Sequence, residues 1–149
     1  MKHLKFSRLF AAVAFVAILA LAGCKNQPEE SSKSVAVEGT WVNDSGEKYV
    51  ITKDSVKSYW GEDVLYEMSI DEIKELTDNS GILYGILTTG SSYTPKDTYY
   101  AFAYKEVNDN SAKLSGAATS SSTIDEEKTA YANLDAFAYF SDLVKAEEE

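Results

Sequence analysis

The chain has 149 residues, with 24 Asp or Glu against 14 Lys or Arg, and its formal net charge is −10. It carries one His and one Cys. This length indicates one domain. A single Cys excludes an intrachain disulfide and a Cys-rich zinc site. The excess of carboxylates disfavours nucleic acid as a partner, because binding to nucleic acid depends on neutralising phosphates.

The first 23 residues have the pattern of a secretory signal peptide. Residues 1–8 are basic, and residues 9–22 form an uncharged, apolar run. A membrane-spanning helix is the alternative, but it needs about 20 apolar residues and this run is shorter. Removal of the signal would leave 11 Lys against all 24 acids, a net charge of −13, with no His and no Arg. Without His there is no imidazole for a Ser–His relay or a metal site.

The apolar run ends in the sequence Leu21-Ala22-Gly23-Cys24. These residues resemble the lipobox of bacterial lipoproteins, in which cleavage precedes the Cys and its sulfur receives a diacylglycerol. The resemblance implies that Cys24 is the acylated amino terminus and that a membrane is a partner through this anchor; an ordinary cleavage site is the alternative. Two or three acyl chains make a stable anchor. The next residue is Lys25 rather than Asp, which allows sorting to the outer membrane, on its periplasmic or surface face.

Three parts follow the signal. Residues 24–37 are polar and lack periodicity, which predicts a lipidated, flexible tether. Residues 38–145 form the domain, and residues 146–149 are an acidic tail.

Short strand patterns separated by turn residues fill the domain. Along residues 64–71 the side chains alternate, with Tyr66, Met68 and Ile70 on one face. A bulge or a short helical piece near Asp71 would explain the slip that follows, and Gly85 marks a bend or a close contact. The predicted strands cover residues 40–42, 48–53, 56–60, 64–71, 82–88, 99–107 and 111–117.

A helix is predicted after the strands. Thr123 and Glu126 form a capping box that begins a helix over about residues 124–134. Residues 135–145 are either the end of that helix or a closing strand with Phe137, Tyr139 and Ser141 on one face, and we favour the strand. The pattern predicts a mainly β fold: an antiparallel meander of seven or eight strands closed into a small barrel, with one C-terminal helix.

Two resemblances concern the domain. Gly39-Thr40-Trp41 resembles the Gly-x-Trp opening of lipocalin-type barrels, which implies a lipocalin-like barrel whose Trp packs across the closed end. In that family an Arg packs on this Trp, whereas the mature chain has no Arg. Residues 39–44, 78–84 and 99–105 together resemble small lipoproteins of treponeme-like spirochaetes, a resemblance that implies no activity.

Aromatic side chains are the most informative candidates for a site. Tyr combines apolar area with a hydroxyl, which suits a ligand-lining wall or a contact surface, although Tyr is also an ordinary half-buried strand residue. Tyr100, Phe102 and Tyr104 alternate along one face of a strand. The candidate ligand-binding residues are Trp41, Tyr84, Tyr100, Phe102 and Tyr104.

Carboxylates carry no comparable pattern. Asp44, Asp54, Asp78 and Asp109 lie in turns without the spacing of a calcium loop. The Glu126-Glu127 pair is interpreted as a feature of the helix start. We therefore expect no catalytic residues, no metal site and no cofactor.

The sequence favours an exported, lipid-anchored, monomeric binding protein over an enzyme. The leading hypothesis is a small apolar or amphipathic ligand held inside the barrel. The alternative is a surface protein-interaction module, either adhesin-like or an envelope scaffold. Its barrel would be filled with side chains, and exposed Tyr would contact an envelope or host protein.

Acylation of Cys24 predicts a simple phenotype. Cys24→Ala removes the only sulfur that can carry the acyl chains, so the variant should leave the detergent phase in a phase-partitioning assay while the parent chain stays in it. Equal partitioning of the two chains would contradict the lipobox assignment.

Overall fold

Eight antiparallel strands form a closed barrel in the computed structural model, which describes residues 35–147. Each strand pairs with the next along the chain, and the eighth pairs with the first. This confirms the predicted mainly β fold, an antiparallel meander closed into a barrel with one helix near the C terminus. The strands are β1 (Gly39–Val42), β2 (Glu47–Ile51), β3 (Ser55–Trp60), β4 (Asp63–Thr77), β5 (Ser80–Thr89), β6 (Tyr99–Lys105), β7 (Ser111–Gly116) and β8 (Ser141–Lys145).

The predicted signal peptide and the acylation at Cys24 lie outside the described residues. Of the predicted tether, residues 35–37 are described. Val35 and Val37 are buried in the barrel core, so the folded domain includes residues that the tether was predicted to contain. The backbone carbonyl of Val37 also accepts a hydrogen bond from the indole Nε1 of Trp41 at 2.8 Å. This contact explains why a short apolar segment ahead of β1 is ordered.

Strand β4 is longer than predicted and is bent by bulges. Its pairing with β5 shifts register between Ile70 and Glu72, so of the two predicted alternatives the structure has the bulge and not the helical piece. Ile70 pairs with Gly85, and a Cβ built on Gly85 would lie 1.8 Å from the carbonyl oxygen of Ser69. At Gly85 the structure therefore has the close contact and not only a bend: the backbones of Gly85 and Ser69 approach so closely that no side chain fits at position 85.

The connection between β7 and β8 covers one side of the barrel wall. It contains the helix α1 (Ile124–Ala130), which begins at the predicted capping box of Thr123 and Glu126. It also contains a 3₁₀ turn over Leu134–Ala136. Ile82 of β5 and Ala101 of β6, whose side chains face outward beneath it, are fully buried.

The helix ends earlier than predicted, at Ala130 rather than at Leu134. Tyr131 leaves helical geometry because tertiary hydrogen bonds fix both its ends. Its carbonyl accepts from the Tyr84 hydroxyl at 2.7 Å, and its hydroxyl accepts from the backbone N–H of Ala118 at 2.9 Å.

The predicted closing strand over residues 135–145 is confirmed only for Ser141–Lys145. The part before it is not a strand, so the expectation that Phe137, Tyr139 and Ser141 share one strand face is wrong. Phe137 packs instead on Tyr131, with ring centroids 5.0 Å apart, while Tyr139 is exposed. Packing against α1 thus takes precedence over the alternating pattern.

The close approach at Gly85 predicts a large loss of stability on substitution. Gly85→Ala would force a methyl group into the Ser69 carbonyl, and overpacking of this kind costs about 3 kcal/mol. Urea unfolding should show this loss. Gly61→Ala is the matched control, because a Cβ there meets nothing within 4 Å and φ is 61°; its left-handed backbone costs about 1 kcal/mol. Equal losses in the two variants would contradict the argument.

Candidate functional site

The barrel has two distinguishable ends. Neighbouring antiparallel strands run in opposite directions, so successive connections alternate between the ends. The entry end carries residues 35–38 and the β2–β3, β4–β5 and β6–β7 turns. The far end carries the β1–β2 turn, the β3–β4 turn, the β5–β6 loop and both ends of the β7–β8 connection.

The aromatic stripe of β6 faces the lumen. The ring centroid of Phe102 lies 5.2 Å from that of Tyr49 on β2, and the ring centroid of Tyr100 lies 5.0 Å from that of Tyr66 on β4. Since β6 pairs only with β5 and β7, these contacts cross the barrel interior. Tyr104 lies two residues beyond Phe102 on the same face and is 1% exposed. The prediction that Tyr100, Phe102 and Tyr104 share one face is confirmed.

Trp41 also points into the barrel, near the entry end. It pairs with Tyr49 across β1 and β2 and is 1% exposed. The ammonium of Lys145 on β8 lies 5.6 Å from the Trp41 ring centroid, within the range of a cation–π contact.

Tyr84 is separate from the other four candidates. On β5 it pairs with Ala101, whose side chain faces away from the lumen because its neighbours Tyr100 and Phe102 face into it. The Tyr84 hydroxyl donates to the Tyr131 carbonyl just beyond α1. The structure thus brings four of the five candidate residues into the lumen and places Tyr84 on the outer wall.

The lumen side chains pack against each other and against glycines. A Cβ built on Gly116 would lie 2.4 Å from the Tyr100 hydroxyl oxygen and 2.9 Å from that of Tyr66. A Cβ on Gly81 would lie 2.5 Å from the Tyr104 hydroxyl oxygen. The space that these two glycines leave is therefore taken by tyrosines of the same barrel.

The lumen hydroxyls differ in their partners. Tyr49 donates to the carboxylate of Glu47 at 2.7 Å, and Tyr100 donates to the carbonyl of Ala117 at 2.7 Å. The buried hydroxyl of Tyr66 makes no hydrogen bond of accepted geometry among residues 35–147, although the hydroxyls of Tyr100 and Ser58 lie close enough to affect its pKa. Burial raises the pKa of the Tyr49, Tyr66 and Tyr100 hydroxyls well above the usual range. All three stay neutral at physiological pH, so none is a base.

Sequence reasoning missed a buried acid. Of the Glu126-Glu127 pair, Glu126 belongs to the capping box as predicted, but Glu127 is completely buried between α1 and the barrel wall. Its Oε2 accepts from the Ser121 hydroxyl at 2.6 Å, and burial raises the pKa of its carboxyl. The single signal for this in the sequence is position: Glu127 lies four residues before the buried Tyr131, on the same helix face.

The far end carries most of the exposed apolar side chains that the structure describes. Trp60 is 54% exposed, and Val64 and Leu65 are each 44% exposed. All three belong to the β3–β4 hairpin. Tyr93 in the β5–β6 loop is 87% exposed. The sequence signal for this patch is a large aromatic residue directly before the turn at Gly61, which the strand pattern alone does not single out.

A surface depression of about 380 Å³ lies at the entry end. Its lining combines acidic and apolar side chains, and Tyr104 is the one candidate ligand residue there. The lining residues are Ala36, Glu75, Leu76, Thr77, Asp78 and Tyr104. Within residues 35–147, no group of three or more Asp, Glu, His or Cys side chains is placed to hold a metal ion. No helix in this part of the chain is long and apolar enough to cross a membrane.

Comparisons with protein-family models, curated proteins and solved structures found no match for this chain. Any functional argument therefore depends on the geometry itself.

Substitution by Phe should have opposite effects at Tyr66 and Tyr100, because their lumen hydroxyls differ in hydrogen bonding. Tyr66→Phe removes a buried hydroxyl without a partner, and Tyr100→Phe removes one that is bonded to Ala117. Since the rings stay in place, Tyr66→Phe should stabilise the barrel by about 1 kcal/mol and Tyr100→Phe should destabilise it by about 1 kcal/mol. Chemical unfolding of the two variants beside the parent chain measures both effects; losses of equal size would contradict the assignment.

Proposed function

We propose that this protein is an exported, lipid-anchored module that binds another protein through the far end of a filled barrel. The observation that carries the proposal is the contrast between the lumen and the surface. Inside, the candidate aromatic residues contact one another, as the Phe102–Tyr49 and Tyr100–Tyr66 ring pairs do. Outside, Trp60 and Tyr93 leave most of their rings in solvent at one end.

Packing of the lumen favours this function over a ligand held inside the barrel. A ligand cavity is lined by side chains that leave space between them. Here Tyr66 and Tyr100 converge on Gly116 so closely that a single methyl group does not fit. A small ligand in the lumen would have to displace these rings.

Placement of the aromatic residues supports a protein partner. Trp and Tyr are the residues that most often dominate the energy of protein–protein interfaces. Trp60 and Tyr93 both belong to the far end, opposite the end at which residues 35–38 lead into β1.

Site-specific photocrosslinking tests the function. The acylated full chain would carry p-benzoylphenylalanine in place of Tyr93 in the cells that produce it naturally, with the same replacement at Thr129 on the exposed side of α1 as the matched control. We expect a discrete crosslinked protein from position 93 and none from position 129, because only the far end contacts the partner.

Native mass spectrometry of residues 25–149 completes this test. A filled barrel should give the mass of the protein alone. A discrete added mass that leaves on denaturation, together with no crosslink at position 93, would contradict the proposal and favour a ligand-carrying barrel.

A further inference from the structure

The β3–β4 hairpin of the far end has an unusual surface for a strand connection. We define the far hairpin as residues 59–66. It exposes Trp60, Val64 and Leu65 to solvent, although apolar side chains of this size gain free energy when they are removed from water. A register shift between Ser58 and Tyr59 inserts Leu65 as an extra residue opposite β3. The bulge thus adds to the exposed apolar area.

One edge of the far hairpin is open. Pairing between β4 and β5 ends at Glu67 and Thr89. Within the described part of the chain, residues 63–66 therefore have β3 on one side and no strand on the other. An open strand edge beside exposed apolar side chains is a surface on which another protein can dock.

Carboxylates surround the exposed indole. Trp60 lies directly between Glu47 of β2 and Asp63 of β4 in one cross-strand row. Glu62 lies next to Asp63 in the turn, and Asp44 lies in the neighbouring β1–β2 turn. The two turns are held together, since the backbone N–H of Gly61 donates to the carbonyl of Gly46 at 2.7 Å.

The carboxylate of Glu47 is fixed in position. It accepts hydrogen bonds from the Asn43 amide at 3.0 Å and from the Tyr49 hydroxyl at 2.7 Å. Lys48 follows Glu47 on β2 and is the lysine closest to Trp60 along the paired strands. Its ammonium lies 4.2 Å from the Tyr59 ring centroid. Lys48 and Tyr59 pair on the opposite face of the sheet from Trp60, because successive side chains of a strand alternate in direction.

We propose that the far hairpin is a docking site for a protein surface with an apolar centre and a rim of Lys or Arg side chains. This inference rests on the proposed protein-binding function and adds the site and the chemistry of its partner. The apolar centre would bury the indole of Trp60, because Val64 pairs with Tyr59 and so lies on the opposite face of the hairpin. The basic rim would lie against Glu62 and Asp63, with cations placed over the Trp60 indole.

Other occupants fit the same surface less well. Nucleic acid and anionic lipid heads would be repelled by the carboxylates around the indole. Insertion into a bilayer would carry Glu62 and Asp63 at the tip of the hairpin into hydrocarbon, which is costly for ionised groups. Charge complementarity therefore selects a basic protein surface.

Defined peptides test the chemistry of the site. The barrel closes within residues 35–147, so a chain of residues 25–149 keeps the whole folded domain. The probes are three synthetic peptides that alternate Leu with Lys, Leu with Glu, and Ser with Lys. The mature chain has two Trp, and Trp41 is buried, so a shift in Trp emission on titration reports on Trp60.

We expect binding of the Leu–Lys peptide alone, with an affinity that falls as salt increases. Trp60→Ala should weaken it by about tenfold or more, as expected for a central interface aromatic; because this variant lacks the reporter, its binding is measured by calorimetry. The double variant Glu62→Lys with Asp63→Lys should change the preference to the Leu–Glu peptide. Tyr139→Ala, which removes an exposed aromatic outside the hairpin, is the matched control and should bind as the parent chain does.

Several outcomes would overturn the inference. Equal binding of the Leu–Glu peptide, or binding that Trp60→Ala leaves unchanged, excludes the basic-rimmed partner. Trp60-dependent sedimentation with phosphatidylcholine vesicles would make the hairpin a membrane contact instead. The exposed positions of Trp60, Glu62 and Asp63 keep the core intact, and near-ultraviolet circular dichroism of the lumen tyrosines checks this.

Photocrosslinking separates failure of this site from failure of the proposed function. A replacement at Glu62 with p-benzoylphenylalanine should capture the same protein as the replacement at Tyr93. A crosslink from Tyr93 without one from Glu62 would leave the function standing and remove the hairpin as its site. No crosslinked protein from either position would contradict both the proposed function and the hairpin site.

Discussion

Large lumen side chains in this barrel depend on glycines on the neighbouring strands. The lumen of an eight-stranded barrel is small enough for its own side chains to fill, so a large aromatic ring needs a small residue beside it on the wall. Tyr66 and Tyr100 converge over Gly116, and Tyr104 lies over Gly81. Because these rings occupy the space beside the glycines, the lumen aromatic residues that were candidates for binding a ligand form the core of the barrel.

The two ends of the barrel differ in what contacts them. At the entry end, Trp41 is held by the Val37 carbonyl on one side and lies near the ammonium of Lys145 on the other, so residues 35–38 and the end of β8 meet there. The β7–β8 connection covers β5 and β6, and the buried carboxylate of Glu127 lies within that cover. At the far end, the β3–β4 hairpin keeps Trp60, Val64 and Leu65 exposed.

A strongly acidic chain can still have a specific docking surface. Net charge keeps such a protein soluble and repels other polyanions, but it does not by itself select a partner. Selection needs a local pattern of apolar area and charge. The far hairpin has this pattern, since Trp60 lies in one row between Glu47 and Asp63. A filled barrel is a suitable scaffold for it, because a rigid surface loses little entropy on binding.

The sequence by itself predicted an antiparallel meander of seven or eight strands and the capping box of α1, and it limited the irregularity near Asp71 to a bulge or a helical piece and Gly85 to a bend or a close contact. These features depend on neighbouring residues: alternation, turn chemistry and side-chain size act over a few positions. Only the tertiary structure decided that Tyr84 lies on the outer wall and that Glu127 is buried. The reason is that these outcomes depend on contacts between residues far apart in the chain. Tyr131 ends its helix by bonding to Tyr84, a contact that no local pattern specifies.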